Sequence, residues 1–187
     1  SVGATMAIAG SVILRLECGG QVTADTMQMN LVLAVIIGIA VTALFGAFNG
    51  TLVAYFKIQP MVATLIMYTA GRSIAAWINN NQLPIINDVA FKYAGTFLPG
   101  IPVPTPIFIT LLMIAVFWLV LKFTNLGLYT QSVGINPNSS RLNGLNPKMI
   151  KLLTYVILGV CVAVAGYIRI SRSGSINYSR NAENIEM

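Results

Sequence analysis

The sequence predicts an all-α, polytopic transmembrane helical bundle of about five spans, with a short polar helix on the cytoplasmic side. Three observations point there. Of 187 residues, 56% are hydrophobic, only 9% are charged and none is histidine, whereas a soluble domain carries about 25% charge. Residues 31–56, 60–78, 105–122 and 149–170 are each apolar over the roughly 20 positions a helix needs to cross hydrocarbon. Asn-Pro occurs twice, at 136–137 and 146–147. Pro at the first helical position after an Asn cap is a start signal, because Pro has no N–H to lose there and Asn accepts the orphan donors.

The first apolar run, residues 2–14, would cover only about 20 Å as a helix. It begins without a cap, a charged flank or an initiator Met, and it looks cut. A signal peptide is the poorer reading, since no basic region precedes the run and no small-residue cleavage site follows it closely. Residues 1–187 are therefore expected to form a single transmembrane domain that is an internal piece of a larger membrane protein, truncated at both ends.

Orientation follows from Lys and Arg near the span ends. The connection between the fourth and fifth spans holds or abuts Lys122, Arg141, Lys148 and Lys151 and has no acid, which places it in the cytoplasm. Residues 15–30 (Glu17, Asp25), 79–104 (Asp88) and the tail after 170 (Glu183, Glu186) then fall outside, so every acidic residue lies on one side. Arg169, Arg172 and Arg180 fall on that side too. The segment 79–104, with Pro84, Pro99, Pro102, Pro104 and neighbouring Asn79, Asn80 and Asn81, reads as an ordered, non-helical lid or docking surface.

Several chemistries are disfavoured. Without His, the commonest general base and metal ligand is missing, and all five acids lie outside the apolar runs. No nucleophile elbow, phosphate-binding loop or dinucleotide fingerprint is present. Cys18 and Cys161 have no metal-ligand spacing and read as small apolar residues. The net charge of +6 comes from eleven scattered Lys and Arg, which fit topology signals and not a nucleic-acid surface. Glycosylation-like triplets at 49–51, 138–140 and 177–179 are treated as coincidence. Gly38, Ala43, Gly46, Ala47 and Gly50 put small residues near one face of the second run, fitting close helix packing first and a substrate path second. Asn49, Thr64, Thr69 and Arg72 are the polar groups in or near apolar spans, and Arg72 either marks a pathway or snorkels to the outer end.

The two Asn-Pro pairs confine one helix to residues 137–143 before Gly144 offers a left-handed stop. That is roughly two turns, too short to be stable alone. By its residues the segment is either a capped loop or a helix held by a partner protein, which would push it as a unit and move both flanking spans.

"GINPNSSRLNGLNPKMIKLLTYVILGVCVAVAGYI" resembles the cytoplasmic coupling segment and following span of the permeases of bacterial ABC monosaccharide importers, the ribose, galactofuranose and autoinducer-2 type. Gly134, Asn136, Gly144, Asn146, Lys151 and Tyr155 match that pattern, and Ser139 and Ser140 stand where it has two alanines. "SVGATMAIAG" and "FNGTLVAYFKIQPMVATLIMYTAGR" resemble two further blocks of the family, the second most like galactofuranose-type permeases, with Arg72 on the family's arginine. The closing "NIEM" resembles the start of a segment that continues in the family.

The resemblance implies a permease subunit in the bacterial cytoplasmic (inner) membrane that catalyses nothing itself. It implies pairing with a second permease copy or a related permease, two cytoplasmic ATP-binding subunits, and an external sugar-binding protein, all within membrane lipid. ATP and Mg would be bound by the partner subunit, with no cofactor in this chain. Coupling is assigned to Asn136, Pro137, Asn138, Ser139, Ser140, Arg141 and Gly144, and the translocation path to Asn49, Thr64 and Arg72. An ion-gradient-driven transporter, which would favour an acid or His within the membrane, and a non-transporting scaffold are the rival readings.

Overall fold

The computed structural model describes residues 2–27, 29–97 and 103–176. In chain order they form α1 (Val2–Glu17), β1 (Thr23–Ala24), α2 (Leu31–Ala54), α3 (Pro60–Ile78), β2 (Ile85–Ile86), α4 (Val89–Lys92), α5 (Thr105–Phe123), α6 (Leu126–Ile135), α7 (Pro137–Leu142) and α8 (Pro147–Ser173). Glu183, Glu186, Arg180, Pro99, Pro102 and the triplet at 177–179 lie outside the described residues.

Four helices, α2, α3, α5 and α8, are long and apolar enough to cross a membrane, and they coincide with the four full-length apolar runs. The remaining run forms α1, 16 residues and about 24 Å long. It sits at the centre of the fold, with Ala4, Ala7, Ile8, Ala9, Ile13 and Leu14 fully buried. Its many small side chains allow α2, α3 and α8 to close around it.

The packing partners fix helix directions. Asn79 Nδ2 donates to Ser11 O at 3.3 Å, while Ala4 and Ile8 face Gly71, so α1 and α3 run parallel. Met6 lies against Gly166 and Gly10 against Ile170, so α8 is parallel to α1 as well. The tightest seam joins antiparallel α2 and α8. A Cβ on Gly46 would stand 2.5 Å from Tyr155 O, and one on Gly159 would stand 2.7 Å from Thr42 O. No side chain fits at either place, so the small-residue face of α2 serves close packing. Thr42 satisfies its buried hydroxyl within its own helix, donating to Gly38 O at 2.8 Å.

At one end of the bundle three distant segments are knitted by backbone. β1 and β2 pair in parallel, Thr23 with Ile85 and Ala24 with Ile86. Ile85 also bridges Ser175, and Ile86 N–H donates to Gly174 O at 2.8 Å. These are the segments assigned above to one side of the membrane, and they do gather at one end. The expectation that 79–104 is non-helical needs correcting: Asp88 starts the four-residue α4, its Oδ1 accepting from Ala90 N–H at 2.8 Å. Asp88 is a good N-cap, and Phe91 gains full burial against Tyr167, with rings edge-on at 6.0 Å.

The other end holds the α2–α3 turn, α7 and the start of α8. α5 packs chiefly on α6 and buries none of its residues, presenting Leu111, Leu112, Ile114 and Trp118 outward. α6 was not foreseen; it follows a sharp corner in which Gly127 lies against the backbone of Leu121.

Candidate functional site

The two-turn helix forms as the Asn-Pro chemistry dictates. Asn136 is extended, and its Oδ1 accepts from the N–H groups of Asn138 at 3.0 Å and Ser139 at 3.2 Å. Pro137 is the first helical residue, and the helix closes at Leu142. Gly144 then takes φ +80°, which lets Leu145 N–H return to Ser140 O at 3.1 Å. Asn146 repeats the device for α8, its Oδ1 accepting from Lys148 N–H at 3.2 Å.

Within α7 the serine pair divides. Ser140 is buried, 3% exposed, and donates to Asn136 O at 3.0 Å, so it seats the helix on the bundle. Asn136, Pro137, Asn138, Ser139, Arg141 and Gly144 are exposed. The most exposed apolar groups here are Leu142, at the end of α7 and 89% exposed, and Ile135, at the end of α6 and 86% exposed, and neither is among the residues the sequence singles out. An unpaired leucine at the tip of a polar two-turn helix was the available signal.

A cleft of about 800 Å³ opens beside α7, between the α2–α3 turn and the start of α8. Lys57, Arg141, Lys148 and Lys151 all line it, and among the described residues no carboxylate does. Lys57 turns the chain at φ +55°. Lys148 Nζ lies 5.4 Å from the centre of the Tyr55 ring.

The three path candidates do not share a cavity among the described residues. Asn49 is 6% exposed, and its Oδ1 has no hydrogen-bond partner there. It lines a small internal space of about 20 Å³ with Thr5, Phe45, Met67, Tyr155 and Val162. Thr64 donates to Met61 O in its own helix at 3.0 Å. Arg72 is half-buried and lies over the Tyr68 ring, 4.2 Å from its centre.

At the knitted end one acid is unusual. Glu17 is fully buried, with neither carboxyl oxygen hydrogen-bonded among the described residues. Burial, and secondarily the charge of Asp88, pushes its carboxyl from the ordinary 4.5 up to about 7. The neighbouring Cys18 thiol is raised by burial and by Glu17. Asp88 itself is engaged, its Oδ2 accepting from Met27 N–H at 3.2 Å.

Four helices long and apolar enough to span, two of them joined by a small-residue seam, with one knitted end and one basic end bearing a capped two-turn helix, define a multi-pass α-helical membrane protein. Comparison with known proteins narrows this class. Residues 1–186 match the family described as "Branched-chain amino acid transport system / permease component", and the chain belongs to that family of transport permeases. It is 39% identical over 170 residues to the galactofuranose transporter permease protein of Escherichia coli K12, covering 90% of this chain and 47% of that protein. It is 31% identical over 192 residues to the fructose import permease protein of Bifidobacterium longum, covering 100% and 51%. With the ribose import permease protein of E. coli K12 it shares 30% over 180 residues, covering 94% and 53%. The chain spans about half the length of these relatives. No solved structure matches it.

Proposed function

We propose that this chain carries the translocating and coupling part of the permease subunit of an ATP-driven monosaccharide importer in the bacterial inner membrane. The observation that carries this reading is α7, a six-residue helix fixed at both ends by Asn-Pro and glycine chemistry, seated by Ser140 and exposing Leu142. Alone, so short a helix has little reason to persist. Held in a groove of a cytoplasmic ATP-binding subunit, it transmits displacement to α8, which begins at Pro147, shortly after α7 ends at Leu142. ATP and Mg belong to that partner.

Support for a sugar substrate comes from the relatives, all three named for sugars although the family description names amino acids. A second permease copy or a related permease completes the path, and an external binding protein delivers the sugar. Asn49, Thr64 and Arg72 are assigned to the path, Asn49 keeping an Oδ1 with no hydrogen-bond partner among the described residues. Weak holding suits conduction, since substrate must leave as readily as it enters.

The test uses the full-length permease with its ATP-binding subunits and binding protein in vesicles. Ser139→Arg and Leu142→Asp, both on the exposed face of α7, are expected to abolish sugar-stimulated ATP hydrolysis while membrane insertion is retained. Wild-type stimulation in both variants would overturn the coupling role.

A further inference from the structure

The cleft at the basic end has a use that coupling does not require. Lys57, Arg141, Lys148 and Lys151 come from three separate stretches of chain and converge on one concavity without a described carboxylate to neutralise them. The starts of α3 and α8, both long helices, also open into it through Pro60 and Pro147, adding the positive ends of two helix dipoles. Four cations that share a pocket with no carboxylate among its described lining repel one another and favour an anion between them.

The surroundings say which anion. From the cleft mouth an apolar stripe runs up the outer face of α3 through Met61, Val62, Leu65 and Ile66, which are 68%, 44%, 58% and 56% exposed. α3 is one of the membrane-crossing helices, so this stripe lies at hydrocarbon depth. A ligand that places a phosphate among the lysines and an acyl chain along the stripe uses both features, whereas a free phosphate or a protein carboxylate uses only the first. The geometry points to a binding site for the headgroup of an anionic phospholipid, in the cleft between the α2–α3 turn and the start of α8, with its chains lying on α3. Basic pockets between spanning helices at the membrane surface are suited to such headgroups. Tyr55 forms one wall, holding Lys148 by its ring face.

The test uses the full-length permease in detergent micelles doped with equal phosphatidylglycerol and phosphatidylcholine, with retained lipid counted by native mass spectrometry. Phosphatidylglycerol is expected to be retained over phosphatidylcholine. Lys57→Gln, on an exposed turn, is expected to lower that retention about fivefold, and K57Q/K148Q/K151Q by about that factor again for each further charge removed. The corresponding arginine triple variant should retain the lipid, which separates lost charge from lost fold. Equal retention of both lipids, or unchanged retention in K57Q and the glutamine triple, would overturn the site. Displacement of the lipid by an equal concentration of inorganic phosphate would overturn it in favour of a free-phosphate site. Lipid retention is read without ATP-binding subunits, so this inference and the coupling reading can fail separately.

Discussion

The two ends of the bundle solve opposite problems. At the knitted end, residues far apart in sequence exchange backbone hydrogen bonds, so that Val22 and Ala24 hold Ile85 and Asn87, while Gly174 holds Ile86. Two of its acids are drawn into the fold, Glu17 fully buried and Asp88 capping α4 while accepting from Met27 N–H, and Asp25 stays exposed. At the basic end, backbone donors are satisfied locally by Asn136 and Asn146, cations line an open cleft, and leucine points outward. An end that satisfies its polar groups across segments resists deformation. An end that satisfies them within six-residue units can move those units without breaking anything, which is what a docking surface requires.

The comparison breaks most completely if the seam joining the two ends is opened. Gly46→Leu forces a side chain against Tyr155 O, where a Cβ alone would be 2.5 Å away. Overpacking of this kind against rigid backbone costs about 3 kcal/mol or more. Thermal unfolding in detergent should show a large drop, with both ends lost together. Gly134→Ala at the basic end, where a Cβ meets nothing within 4 Å, should leave the melting temperature nearly unchanged.

Next in size is the buried acid. A carboxyl whose folded value stands near 7 against an ordinary 4.5 keeps its proton in the fold when the unfolded chain has lost it. Below about 4.5 this costs nothing; between 4.5 and 7 stability falls as pH rises, and above 7 the penalty has saturated. Glu17→Gln should therefore be more stable than the parent at pH 8 and no more stable at pH 4, as read by unfolding midpoints in detergent at the two pH values. Equal differences at both would show that ionisation is not what Glu17 costs. The knitted end should carry the pH response, with protection factors at Ile85 and Ile86, corrected for the intrinsic rise of exchange with pH, falling at pH 8 in the parent and those of α7 unchanged.

A smaller and strictly local effect sharpens the contrast from the other side. Asn136→Ala removes the acceptor for two N–H groups of α7, worth about 1 kcal/mol. Because every described residue of α7 except Ser140 is exposed, this should appear as faster hydrogen exchange at Asn138 and Ser139, with little change in global stability. A global drop as large as that from the seam variant would mean that α7 is part of the folding unit and not a locally ordered helix.

What could be read from the sequence follows the same division. The spans were legible because length and apolarity are properties of a single stretch, and α7 was legible because Asn, Pro and Gly act within a few residues of themselves. The features that escaped depend on contacts between stretches. β1 and β2 are two residues each and pair across about sixty positions, which no periodicity announces. The cleft needs Lys57 beside Arg141, and the unlike fates of Ser139 and Ser140 depend on which side of α7 meets the bundle. α1 was expected as a cut span. Its burial on all sides follows from the small residues that its sequence shows, but only the surrounding helices reveal that use.

The smallest expected effect divides the two causes that act on Glu17. Asp88→Asn keeps an N-cap for α4, its one carbonyl oxygen accepting from Ala90 N–H, deletes the charge acting on Glu17 and gives up the acceptor of Met27 N–H. Burial is the larger cause of the raised value and is untouched, so the unfolding-versus-pH midpoint should move only slightly toward acid. Asp88, the charge named beside burial as raising Glu17, is itself an acid and offers the ionised form no compensation. A midpoint that fell all the way to the ordinary carboxyl range in Asp88→Asn would instead make the acid pair the cause. The knitted end would then be held together against charge repulsion, and not by exclusion of water from one carboxyl.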